Sequence, residues 1–234
     1  MQALILCGGL GTRLRNTVGD APKSMAPIRG KPFLEILLES LKARGFREFV
    51  LATGYKSEAV EGYFGNGGKW GVAIAYSREN SPLGTGGALK LAEPHLGDQF
   101  FLLNGDTFGD FDPAAMEKRM RAGNAAVVMA LKAVQDVSRY GRVEMDTGGR
   151  ILKFSEKGKA AGPGLVNAGI YLIRKHMLSQ IELFRALSLE NDVLPRVFDR
   201  GVYGCEIRGL FIDIGVPEDY QRAQSLLPGS AHAG

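Results

Sequence analysis

The order of apolar runs constrains this chain most. Runs bounded by turn residues occur at Ala3 to Leu6, Glu48 to Thr53, Val72 to Tyr76, Phe100 to Leu103, Ala125 to Leu131 and Val166 to Ile173. Between the early ones lie helical patterns, notably Pro32 to Arg44, where Leu34, Leu37, Leu38 and Leu41 recur at helical spacing. Strand alternating with helix predicts an α/β fold: one three-layer αβα, Rossmann-like domain around a mostly parallel sheet. The alternation loosens after about residue 130. Arg142 to Asp146 and Arg150 to Phe154 read as a hairpin turning at Gly148-Gly149, Gly158 to Gly164 as a flexible loop, Glu206 to Ile214 as a strand region and Pro217 to Leu226 as a closing helix. The expected domain is 1–226, with 227–234 a frayed tail.

With 234 residues, 45% hydrophobic and 23% charged, the chain has globular composition, which excludes disordered and fibrous classes. A net charge of +4, spread without a basic stripe, suits anionic small molecules and argues against nucleic acid. Cys7 and Cys205 form no CxxC pair, so neither a zinc site nor a disulfide framework is expected. The apolar start is too short for a signal peptide and no run approaches the ~18 residues of a membrane span, so a cytoplasmic protein without a membrane partner is expected. A homo-oligomer stays open.

In open sheets of this kind ligands bind at the carboxyl ends of strands. The segment Gly8-Gly-Leu-Gly-Thr-Arg-Leu14 lies there. It matches neither a P-loop, which needs G-x-x-x-x-G-K-[ST], nor a dinucleotide fingerprint, because Leu14 stands where the third glycine would be. Backbone N–H groups of such a loop nevertheless suit phosphate oxygens. The loop Asn104-Gly-Asp106 and the loop after Tyr76 converge on the same sheet edge. Asp106 follows one apolar strand and Asp213 lies in a second apolar setting; a carboxylate so placed needs a partner or a metal.

The pattern G-G-x-G-T-R-L followed by Pro22-Lys23 resembles the sugar-nucleotidyltransferase family, the pyrophosphorylases that join a nucleoside triphosphate to a sugar 1-phosphate. Further matches follow in the family's order at Pro82 to Gly87, Asn104 to Asp106, Glu156-Lys157, Asn167 to Gly169 and Asp213 to Tyr220. Pro22 to Pro27, Gly30 to Leu34, Leu103 to Thr107 and Phe211 to Pro217 most resemble the branch that guanylylates D-glycero-D-manno-heptose 1-phosphate. Cys7 and Ser24 depart from the commonest pattern, each to another small residue.

The resemblance implies a nucleotide site at Leu6, Gly8, Gly9, Gly11, Thr12, Glu79, Pro82, Gly84, Thr85 and Asp106, with Arg13 and Lys23 catalytic. It implies a sugar phosphate site at Gly141, Glu156, Lys157 and Asn167, with Tyr140 and Asp192 as weaker candidates, and Mg²⁺ held by Asp106 and Asp213. GTP is the expected donor, since Glu79 accepts hydrogen bonds only and guanine presents adjacent N1–H and N2–H₂ donors. The alternatives are guanylyl transfer to mannose 1-phosphate, uridylyl or thymidylyl transfer to another sugar phosphate, a catalytically dead nucleotide-sugar sensor, and a dinucleotide oxidoreductase, which the failed fingerprint weakens.

Overall fold

The computed structural model describes residues 1–9, 19, 21–154 and 158–228. In chain order the elements are β1 (Gln2–Leu6), β2 (Pro27–Ile28), β3 (Lys31–Pro32), α1 (Phe33–Ala43), β4 (Glu48–Thr53), α2 (Ser57–Phe64), β5 (Ala73–Arg78), α3 (Gly84–Leu91), β6 (Gln99–Asn104) and β7 (Thr107–Gly109). There follow α4 (Pro113–Ala122), β8 (Val127–Val134), β9 (Val143–Met145), β10 (Ile151–Phe154), β11 (Gly164–Arg174), β12 (Val202–Ile207), β13 (Phe211–Asp213) and α5 (Pro217–Leu226).

The strands β10-β9-β11-β6-β1-β4-β5 form one path, and β8 and β12 extend the same nine-stranded sheet from β11. Strands β1, β4, β5 and β6 are mutually parallel, and β12 runs parallel to β8. Strand β11 is antiparallel to β6, β8 and β9, and β10 to β9, so seven of the nine strands share one direction and the sheet is mostly parallel, as expected. The central strands are buried on both faces, which explains why β1 and β6 read as continuous apolar runs.

Helices α1, α2 and α4 cover one face, where Leu34, Leu38, Val60, Phe64, Met116 and Met120 pack against Phe49, Phe101 and Ile170. The other face is covered by α3 and by the irregular segment 175–200, through Leu89, Met177, Leu189, Leu194 and Val197. The three-layer arrangement expected from the sequence is therefore present. Two details differ from expectation. The apolar stretch Glu206 to Ile214 divides at the turn after Ile207: β12 joins the large sheet, whereas β13 pairs with β7 in a separate two-stranded sheet. Leu227, expected in the tail, is only 2% exposed and packs with Ile212, Ile214, Tyr220 and Ala223.

That third apolar cluster also holds Ala26, Ile28, Phe33 and Ile36, so α5 clamps the segment that carries Lys23. The Tyr220 hydroxyl donates to the Pro27 carbonyl at 2.5 Å. Asp219, 3% exposed, accepts from Arg222 at 2.9 Å and from Arg139 at 2.6 Å, which ties α5 to the loop before β9.

Strands β1 and β6 run side by side, and their ends carry the loops of the site. Just beyond β6 the Gly105 N–H donates to the Leu6 carbonyl at 2.9 Å, and a Cβ at Gly105 would stand 2.5 Å from that oxygen. Such a contact forces backbone apart. The Gly105→Ala variant is expected to lose about 1–3 kcal/mol, the usual cost of overpacking, in urea denaturation.

Candidate active site

Two cavities meet at the carboxyl ends of β1 and β6. The first, of about 380 Å³, is lined among others by Leu6, Gly8, Gly9, Lys23, Glu79, Pro82, Gly84, Thr85, Asn104 and Asp106. The second, of about 530 Å³, is lined by Asn104, Thr107, Tyr140, Gly141, Arg142, Phe154, Asn167, Ser188, Glu190, Asn191, Phe211 and Asp213 among others. Asn104 borders both. Every described residue predicted for the nucleotide lies on the first cavity, and Gly141 and Asn167 lie on the second. Gly11, Thr12, Arg13, Glu156 and Lys157 fall outside the described residues.

The seam between the cavities is charged. The Lys23 ammonium donates to Asp106 Oδ2 at 2.5 Å and lies 3.7 Å from Asp213 Oδ1. Antiparallel pairing of Asp213 with Thr107 brings the two carboxylates together across more than a hundred residues of sequence. Backbone bonds fix them: the Ile214 N–H donates to the Asp106 carbonyl at 2.9 Å and the Gly215 N–H to Asp213 Oδ1 at 2.7 Å. Their side chains are 34% and 32% exposed, so the oxygens remain accessible. Two carboxylates around one cation form the hard-oxygen donor set that magnesium takes together with substrate phosphates. The residues present therefore fit the expected ion.

Glu79, just beyond β5, lies across the glycine turn. A Cβ at Gly8 or Gly54 would come within 2.6 or 2.8 Å of its Oε1, so these two positions must lack side chains for the carboxylate to sit there. Its other oxygen accepts from the Leu83 N–H at 3.1 Å. Desolvation raises the Glu79 carboxyl above its ordinary pKa, and the Leu83 bond opposes that rise. Gly54 was not evident in the sequence, because its role is clearance for a side chain 25 positions away.

Thr85 and α3 make contacts that the sequence did not announce. The Gly86 N–H donates to the Leu187 carbonyl at 2.8 Å and the Leu187 N–H to the Leu83 carbonyl at 2.9 Å. Thr85 Oγ1 accepts from the Leu189 N–H at 2.7 Å and donates to Glu190 Oε2 at 3.2 Å. The loop opening α3 thus borders the first cavity while leaning on segment 187–190. Asp192 accepts from the Ser188 N–H at 2.7 Å, which closes its own turn. Tyr140 lies on the second cavity beside Phe211, their ring centroids 5.8 Å apart. Cys7 borders the first cavity, and burial pushes its thiol up. Among the described residues no helix is long and apolar enough to cross a membrane.

The model of the Nucleotidyl transferase family matches residues 2–229. The chain is 42% identical over 220 residues to D-glycero-alpha-D-manno-heptose 1-phosphate guanylyltransferase of Campylobacter jejuni, covering 94% of this chain and 97% of the relative. It is 41% identical over 229 residues to the protein of the same name from Aneurinibacillus thermoaerophilus, covering 97% and 98%. A solved structure of HddC from Yersinia pseudotuberculosis, complexed with GMP-PN, is 34% identical and superposes with a TM-score of 0.84 over 96% of this chain and 98% of that one. The motifs, the sheet and these matches together place the chain in the nucleotidyl transferase family.

Proposed function

We propose that this chain transfers GMP from GTP to D-glycero-D-manno-heptose 1-phosphate, releasing pyrophosphate and forming a GDP-sugar. The observation that carries this reading is the meeting of two cavities at the Lys23, Asp106 and Asp213 cluster. A reaction between a nucleotide and a second phosphate needs that arrangement. The names of the Campylobacter and Aneurinibacillus relatives supply the sugar, and the GMP-PN in the Yersinia structure supports guanine.

In the reaction a phosphate oxygen of the sugar 1-phosphate bonds to the α-phosphorus of GTP. The bond from that phosphorus to the β-phosphate oxygen breaks, and pyrophosphate leaves with the electron pair. No side chain needs to become a nucleophile, so positioning and charge neutralisation carry the rate. Backbone N–H groups of the turn beginning at Gly8 bind the triphosphate. Arg13, assigned here on its motif, neutralises charge growing on the leaving pyrophosphate, its planar fork reaching two oxygens. Lys23, between the carboxylates, turns its ammonium to the phosphates as they enter the seam. Asp106 and Asp213 would hold Mg²⁺, which would supply charge neutralisation to phosphate oxygens. Gly141, Asn167, Glu156 and Lys157 bind the sugar phosphate.

Glu79 reads the base. Each carboxylate oxygen has two acceptor sites, so Oε2 keeps one after accepting from Leu83, and the two oxygens together meet the adjacent donors of guanine.

Asp106→Asn and Asp213→Asn are each expected to abolish magnesium-dependent turnover while near-UV circular dichroism stays that of the native fold. Retention of wild-type magnesium dependence by either variant would remove that residue from the ion's site.

Glu79→Gln is expected to reduce the preference for GTP over UTP by about 1–3 kcal/mol, the cost of leaving a buried polar group unmet. Because burial raises the Glu79 pKa, protonation begins above the ordinary carboxylate range as pH falls. A protonated carboxyl accepts less well, so GTP affinity should weaken there in the wild type. The same titration calorimetry on Glu79→Gln should show a flatter pH profile, and unchanged selectivity in the variant would assign base choice to the backbone.

A further inference from the structure

Glu190 is the hub of a hydrogen-bond network that touches both cavities. The Tyr171 hydroxyl donates to Glu190 Oε1 at 2.8 Å. The hydroxyls of Thr85 and Ser188 both donate to Oε2, at 3.2 and 3.1 Å. Behind them, Asn167 Nδ2 donates to the Tyr171 oxygen at 2.6 Å, the Leu189 N–H to Thr85 and the Asn191 N–H to Ser188. Every proton in the network therefore points towards this one carboxylate. Tyr171 is fully buried, and burial holds its phenol protonated, so it stays a donor.

The bookkeeping of sites is specific. A carboxylate offers about four acceptor positions, and three are filled, which leaves one on Oε1. Asn167 Oδ1 accepts from the Gly169 N–H at 2.9 Å and its amide has one N–H left. Both Glu190 and Asn167 line the second cavity. Among the described residues, the lining of this cavity thus keeps one acceptor site on Glu190 and one donor on Asn167, with the committed Tyr171 hydroxyl bonded to both. A sugar hydroxyl, donor and acceptor at once, complements that pair.

We propose that Glu190 is a specificity-determining residue of the acceptor site, taking a hydrogen bond from one sugar hydroxyl while Asn167 donates to the same or the adjacent oxygen. The inference rests on the proposed function, in which the second cavity receives the sugar. It differs from a purely supporting role for Glu190, which would leave every ring position of the sugar equally affected by its loss.

The test compares D-glycero-D-manno-heptose 1-phosphate with its monodeoxy derivatives, GTP being the donor, in the wild type and Glu190→Gln. In the wild type one ring position should stand out, its deoxy derivative losing about 10- to 100-fold in kcat/KM, the effect of a hydrogen bond to a charged group. In Glu190→Gln the KM for the parent sugar phosphate should rise by a similar factor, that derivative should lose little more, and the KM for GTP should stay within about twofold. A wild-type panel with no sensitive position would overturn the proposal without any variant. So would additive losses in Glu190→Gln, or equal damage to the GTP and sugar phosphate terms, which would mark Glu190 as scaffold. A wild type that turns over none of these sugar phosphates overturns the proposed function itself, a distinct result.

Discussion

One ammonium between two carboxylates organises this molecule. Lys23 reaches Asp106 at the end of the large sheet and Asp213 at the end of the small one. Two carboxylates placed together without a counter-ion would be costly, since they repel each other and each loses part of its hydration. The surrounding structure serves to hold that balance. Strands β7 and β13 fix the carboxylates, and α5, through Tyr220 and its apolar neighbours, fixes the segment from which Lys23 projects.

On the proposed function, the balance gives such a site a way to accept polyanions. A cavity with fixed positive charge alone would hold phosphate in any position, whereas here the lysine is already satisfied. On that reading an entering phosphate competes with Asp106 for it, and Asp106, so released, would face a metal ion. Positive charge is then delivered where phosphate and ion arrive together.

The sequence makes the first cavity more legible than the second, for physical reasons. Leu6, Gly8, Glu79, Gly84 and Asp106 sit at or just beyond the ends of strands or at a helix start, and buried parallel strands announce themselves as continuous apolar runs. Lys23 and the two aspartates stand in short motifs beside such runs. Glu190 belongs instead to Leu189–Val193, a single π-type turn without periodicity, and its partners Thr85 and Tyr171 lie 105 and 19 positions away. Gly54 matters only for the room it leaves Glu79. The division of Glu206 to Ile214 between two sheets was hidden for a related reason: apolar residues flank the turn on both sides, so pattern alone reads one strand region.

The lean of α3 on segment 187–190 has a consequence for the order in which the molecule can be built. The described residues bordering the first cavity lie between positions 6 and 106, so the first half of the chain to leave the ribosome carries that lining. Yet the bonds from Gly86 and Thr85 run to residues near 188, which are synthesised about eighty residues after Asp106. A nascent chain halted before that segment holds the phosphate turn and Glu79 without the support for the helix start beside them. The opening of α3 therefore gains these partners only once residues 187–190 have been made.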